Sequence, residues 1–411
     1  MAPTVIRFPI NNVNGGGDYT GEIRVGSQGV VANVILDTGS STLAVVPRVY
    51  KIAEDQNVTF TQYAQLVTYG TGGWSGPVLQ TTLSMGSGGN QASVKTYIAI
   101  ADDQLPNNLG PADGILGLAF NALNSAYDLT SYLTSHDVNP PVTYPWLFPV
   151  KTSAAALQQV EQFLARMTEV DLTPYFTTLE DAEVTRNIFA FYTLRSTPSR
   201  ASGDPATDPL NNGIFVLGGG LDQTDLYTGQ PLNVAVLDDL YYNTNLKAVQ
   251  IGDASPVAVK PLPASQAKSL VSNSIVDSGT NSLVLAPDVY QAVISGLESQ
   301  SADFATLVRQ ATSRGGVPGS SLNLSRWPNI NFVMQGADGT DDITLTCAPA
   351  TYWQTDATSQ GDAVFQINNG GSFPMSILGL PLFNNYYTVF DRTQNPYGII
   401  SFAPIATAAK Q

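Results

Sequence analysis

One histidine and one cysteine in 411 residues remove much of the usual catalytic repertoire. A lone Cys347 cannot form an intramolecular disulfide, and a zinc site built from several Cys and His ligands cannot be assembled. A Ser-His-Asp triad would depend on His136 in the loop-like stretch SHDVNPP, so His136 and Cys347 are both read as structural. Basic residues are also scarce: 18 Lys and Arg against 33 Asp and Glu leave a net charge of −15. That charge repels nucleic acid and anionic membrane surfaces, and neither is expected as a partner. No run of about 18 uninterrupted apolar residues exists, and residues 1–20 lack a basic segment followed by an apolar core. Neither a membrane span nor a signal peptide is therefore expected within this sequence. The glycine runs at 15–17 and 218–220 fit neither a P-loop nor a GxGxxG pattern and read as turns. Any catalysis must then rest on carboxylates.

What is present is a large supply of short β segments. The length exceeds the roughly 250 to 300 residues at which one core stops growing, so at least two lobes are expected. Segments such as YTGEIRVG, VVANVILD, GIFVLGGG and YGIISFA are β-branched and aromatic, bounded by turn residues, with 36 Gly and 26 Pro along the chain. Helical spacing is clear over 153–168, where Leu157, Val160, Leu164 and Met167 share one face; 287–300 and 302–311 read as further short helices. The Pro- and Ser-rich stretch 195–209 marks a surface loop near the boundary of two halves, placed at 1–195 and 196–411.

An internal repeat organises these segments. VILDTGSSTLAVVPRVY is echoed by SIVDSGTNSLVLAPDVY at an offset of 240 residues (277 − 37), pairing Ile35 with Ile275, Asp37 with Asp277, Gly39 with Gly279 and Tyr50 with Tyr290. ILGL then occurs downstream in each half, at 115–118 and 377–380. Two ordered matches imply a duplicated lobe in which an Asp loop leaves a strand and an apolar-apolar-Gly strand passes close beside it.

A carboxylate in an apolar run is costly unless it is paired or hydrogen-bonded. Two of them, one per lobe, make chemical sense if they meet, share one proton and so supply an acid and a base within one site. Gly39 and Gly279 let the backbone approach, and the hydroxyls of Ser40 and Thr280 can donate to the outer carboxylate oxygens. The plainer reading, two buried Asp acting as turn caps, leaves the repeat unexplained.

DTGS at 37–40 and DSGT at 277–280, each followed by ILG, resemble the two half-sites of the pepsin-like aspartic proteases. DYTGEIRVG, VTYGTGGWSG, ADGILGLAF, IFVLGGG and ILGLPLFNNYYTVFDRTQNPYGIISFAP follow in that family's order along nearly the whole chain. The resemblance implies a mainly β, bilobal fold with a cleft that binds extended peptide. It also implies a water held by Asp37 and Asp277 that attacks the peptide carbonyl with no covalent intermediate, metal or cofactor. Within VTYGTGGWSG, Tyr69 matches the tyrosine of the family's flap hairpin, and Gly70 and Thr71 match tip residues whose backbone holds substrate. Ile115, Tyr241, Ile275 and Ile377 match positions lining the subsites beside the cut bond, which favour large apolar residues. Peptide or protein substrates, inhibition by statine-type compounds and a monomeric state follow from the same resemblance. A catalytically dead binding or inhibitor module is the alternative, but such relatives lose a catalytic Asp, the glycine after it or the flap tyrosine, all retained here. A carboxylate-pair glycosidase finds no other support in the chain.

The sequence departs from the family in several places. Ala44 stands where many relatives carry a tryptophan that orders the flap tyrosine, with Trp74 inside the hairpin as a substitute candidate. Leu380 follows the second ILG where many acid-active relatives have Asp, and the usual disulfides are missing, as in cysteine-poor members found among bacteria. Residues 122–186 are longer than usual and are expected to add a surface helix packed on the first lobe. The scarce charge and acidic balance point to a secreted or periplasmic setting rather than the cytoplasm.

Overall fold

The computed structural model describes residues 5–69, 72–87, 90–104, 109–148 and 153–406. It divides into two compact units, one of Met1–Ile6 with Thr20–Arg186, the other of Arg7–Tyr19 with Asn187–Gln411. Strands dominate both.

In the first unit the strands β1 (Asp18–Val25) and β2 (Val30–Asp37) pair antiparallel, Thr20 facing Ile35. β3 (Leu43–Val45) follows the turn after Asp37. A long meander comes next: β4 (Thr59–Tyr69), β5 (Gly72–Ser87) and β6 (Asn90–Ile100), antiparallel in sequence. β7 (Gly114–Gly117) then inserts between β2 and β3, parallel to the first and antiparallel to the second. Segments buried on both faces read as unbroken apolar runs, which is why ILG and VIL lie here. β8 (Ser125–Asp128) pairs with β4 and with β9 (Thr168–Asp171).

Between β8 and β9 lie two helices, α1 (Thr130–Ser135) and α2 (Ala154–Leu164). α2 is shorter than the 153–168 expected from spacing, because its pattern stops being helical where the chain re-enters the sheet at Thr168. Its buried residues are Leu157, Val160 and Leu164, the stripe its periodicity dictates. They join Ala64, Leu129 and Leu133 in a core, with Met167 packed beside it. His136 caps the end of α1, its Nδ1 2.8 Å from the Tyr132 carbonyl oxygen and its ring 4.2 Å from the Tyr132 ring, so local bonds account for it.

The second unit repeats the arrangement around Asp277. β10 (Asn243–Thr244), β11 (Ser274–Val276), β12 (Leu283–Leu285), β13 (Ile367–Asn369) and β14 (Ser376–Leu378) form one sheet. β14 runs parallel to β11 and antiparallel to β12, as β7 does between β2 and β3. The helices α3 (Pro287–Gln300) and α4 (Ala302–Arg314) follow β12. Proline at the first turn of α3, and Ser301 before α4 with left-handed Gly315 after it, set their ends. Four further strands pair antiparallel in the order Asn212–Leu217, Ile188–Tyr192, Tyr386–Asp391 and Ile399–Pro404, over a cluster of Phe189, Phe191, Phe215 and Phe390. Cys347 is fully buried, with burial pushing its thiol pKa up to about 12, so the thiol is inert at ordinary pH.

Candidate active site

Each acidic loop is built by local spacing. Asp37 ends β2 and is 6% exposed; its Oδ1 accepts from the Gly39 N–H at 2.7 Å and its Oδ2 from the Ser40 hydroxyl at 2.5 Å. Asp277 follows β11 and is 7% exposed; its Oδ1 accepts from the Gly279 N–H at 2.8 Å and its Oδ2 from the Thr280 hydroxyl at 2.6 Å. The donors fall two and three positions after each acid, so the same turn makes the same pair of bonds twice. Donors on both oxygens hold the carboxyl plane in one orientation.

The strands beside the loops explain the second motif. Gly117 faces Asp37 across β7–β2, and a Cβ placed there would lie 2.4 Å from the backbone of Ser41. Gly379 follows β14, and its Cβ would lie 2.2 Å from the Ser282 carbonyl oxygen and 2.3 Å from that of Thr280. Glycine is required at both places because two backbones touch there. The N–H groups of Gly117 and Ala119 donate to the carbonyls of Thr42 and Ser40, and that of Leu380 to Thr280, so each ILG segment holds its acidic turn in shape. Leu118 and Leu380, the residues after each ILG, are both buried.

A family model for eukaryotic aspartyl protease matches residues 18–139 and 164–404. The chain belongs to the aspartyl protease family. It is similar to pepsin-2B of Gadus morhua, 25% identical over 407 residues that cover 95% of this chain and 96% of that protein. Pepsin A of Sus scrofa is 25% identical over 407 residues, 95% of this chain and 82% of the relative. A β-secretase of Strongylocentrotus purpuratus is 23% identical over 420 residues, 94% of this chain and 67% of the relative. The mainly β fold is the pepsin-like one, and the protein is an aspartic endopeptidase, a hydrolase acting on peptide or protein substrates. Residues 140–163, which hold most of α2, lie outside the matched segments.

The remaining candidate site residues fall into two groups. In the first unit Ile115 is buried on β7 and pairs with Ile35, two residues before Asp37. In the second, Ile275 on β11 pairs with half-buried Ile377 on β14 and faces Asn243 on β10. Half-buried Tyr241, whose N–H bonds the Asn243 side chain at 2.8 Å, lies just before β10. The structure thus gathers Tyr241, Ile275 and Ile377 next to Asp277. The hairpin of β4 and β5 is in register with Tyr69 facing Gly72. Gly70, Thr71 and the side chain of Tyr69 lie outside the described residues.

Trp74 on β5 is fully buried, in a core that also contains Ala44, Ile35 and Ile115. The residue absent from β3 and the one added to the hairpin therefore belong to one core. Sequence reasoning overlooked a second carboxylate of the first unit. Asp55 accepts hydrogen bonds from the hydroxyls of Tyr50 and Thr81 and from the N–H groups of Ser27 and Asn57. Burial pushes its pKa up, but those donors outweigh it and bring the group down to about 2. The signal was faint: an acid two residues before an Asn-containing turn is a common turn pattern.

Proposed function

We propose that Asp37 and Asp277 act together as the catalytic pair, sharing one proton and activating a water for attack on the scissile peptide bond at acidic pH. The observation that carries this reading is the duplicated donor set, one glycine N–H and one hydroxyl on each carboxylate. Asp277 as carboxylate takes a proton from the water while protonated Asp37 gives one to the carbonyl oxygen, and a tetrahedral gem-diol forms. Transfer of a proton to the amide nitrogen then lets the C–N bond break, releasing acid and amine and returning the pair to its singly protonated state. The hydroxyls of Ser40 and Thr280 and the N–H groups of Gly39 and Gly279 keep each carboxyl oriented through the cycle.

Peptide binds as an extended strand under the β4–β5 hairpin, whose Tyr69, Gly70 and Thr71 close over it and exclude water. Ile115, Tyr241, Ile275 and Ile377 favour large apolar residues on either side of the cut. The enzyme works as a monomer in an acidic extracytoplasmic setting and is blocked by statine-type mimics of the gem-diol.

Turnover of one apolar octapeptide, measured from pH 2 to 8 with and without a statine compound, tests the proposal. A bell-shaped profile with its maximum between roughly pH 3 and 5.5, abolished by the inhibitor, is expected. A flat profile rejects the shared proton, and a maximum near neutrality rejects the acidic setting.

A further inference from the structure

The β4–β5 hairpin is held from both faces. Side chains alternate across a strand, so Ala64 and Leu66 point one way and Val67 the other. Ala64 lies in the core built by Leu129 and Leu133 of the α1 region and by Val160 and Leu164 of α2, with Leu66 packed against it. Val67, opposite Trp74 in the hairpin register, packs with it on the core that contains Ile35, Ala44 and Ile115. That core is made by the strands that present Asp37. The hairpin base is therefore a middle layer, with helices on one side and the Asp37-bearing strands on the other.

Between the first turn of α2 and the outer part of the hairpin lies a half-open cleft of about 480 Å³, lined by Leu66, Thr68, Gly73, Trp74, Ala154 and Leu157. Thr68 and Gly73 pair directly inside Tyr69 and Gly72. At the base, Gly76 approaches β6 so closely that a Cβ there would lie 1.7 Å from the Ile100 carbonyl oxygen. Tight packing at the base resists displacement of the hairpin there.

We propose that Trp74 and α2 form a clamp on the base of the hairpin, with Trp74 a positioning residue that fixes the flap relative to the strands carrying Asp37. The proposal rests on the hairpin acting as the flap. The helix lies almost wholly in residues 140–163, outside the segments the family model matches, whereas Trp74 and the hairpin lie within them. A flap whose base is already ordered spends less conformational entropy on closing over peptide. Loss of the clamp therefore raises KM more than it lowers kcat, because the binding-competent hairpin becomes a smaller fraction of the population.

The test uses the full chain with Trp74→Leu, Val160→Ala and the conservative Trp74→Phe, reading backbone hydrogen exchange and peptide kinetics. Trp74→Leu and Val160→Ala are each expected to speed exchange across the hairpin by about tenfold or more, while strands β2 and β11 keep wild-type rates. KM should rise roughly five- to fiftyfold with kcat within about threefold of wild type, and Trp74→Phe should recover most of both. Unchanged hairpin exchange overturns the clamp. Exchange that rises equally in β2 assigns Trp74 to general stability and overturns its positioning role, as does a loosened hairpin with unchanged KM. If Asp37→Asn still cleaves peptide, the catalytic reading fails, yet hydrogen exchange still decides the clamp.

Discussion

The two acidic loops differ little, whereas the regions around them differ greatly. Asp37 and Asp277 have the same donors at nearly the same distances, each beside an ILG strand inserted in the same sense between its neighbours. Around Asp37, however, the chain adds a long hairpin, three helices including Tyr175–Asp181, and an aromatic-rich insertion. Around Asp277 it adds a pair of longer helices and two small sheets. The chemistry of a hydrogen-bonded carboxylate tolerates few solutions, so both halves keep one; packing beyond the loop tolerates many.

The largest effects come from breaking the equivalence of the acids. Asp37→Asn and Asp277→Asn are near-isosteric, so melting temperature should hold within a few degrees while turnover of the octapeptide falls by about a thousandfold or more in each. A variant keeping more than about a tenth of wild-type turnover would remove that residue from the pair.

Gly117→Ala and Gly379→Ala probe whether the two close approaches are equally strict. Each added Cβ meets backbone atoms at 2.2 to 2.4 Å, which cannot relax as a side chain could. Losses of about 2 to 4 kcal/mol are expected in urea unfolding of both variants. A loss under about 0.5 kcal/mol in one unit alone would show that its loop can shift.

Ser40→Ala and Thr280→Ala sharpen the comparison further. Each removes the hydroxyl that orients one oxygen of its carboxyl, so turnover of the octapeptide should fall by about ten- to a hundredfold while the melting temperature holds within a few degrees. A fall in only one variant would show that the other carboxyl is held well enough by its glycine N–H.

The smallest effect comes from a carboxylate of the first unit that lies outside its acidic loop. Asp55 has its pKa depressed to about 2, so its contribution to stability is present above the ordinary carboxyl value near about 4 and is lost as pH falls toward 2. Asp55→Asn should therefore lower the melting temperature at pH 5, and the gap to wild type should close between pH 4 and 2. A gap that stays constant over that range would show that the charge is not what Asp55 contributes.

The sequence spoke most clearly where structure is local. The acid, the glycine two positions on and the hydroxyl three positions on lie within one turn, so their bonding could be written down from spacing alone. α3 begins and ends where its proline and apolar spacing place it, at Pro287–Gln300. α2 was foreseen as a helix but drawn too long, because Met167 continues the apolar stripe beyond Leu164 although the backbone turns back toward the sheet.

The residues alone determined the repeat, the mainly β character, the two carboxylates and the exclusion of thiol, zinc and triad chemistry, since each depends on identity and short spacing. Tertiary structure decided what long-range packing brings together. Ala44 and Trp74 lie 30 positions apart (74 − 44) and share a core only because β3 and the hairpin strands lie against β6. Asp55 drew its depressed pKa from Tyr50, Thr81, Ser27 and Asn57, contributed by separate segments, and α2 found its partner on a hairpin whose residues lie about a hundred positions before it. Spacing along the chain reports contacts within a turn of helix or a pair of strands, whereas contacts between layers depend on where the whole sheet carries each strand.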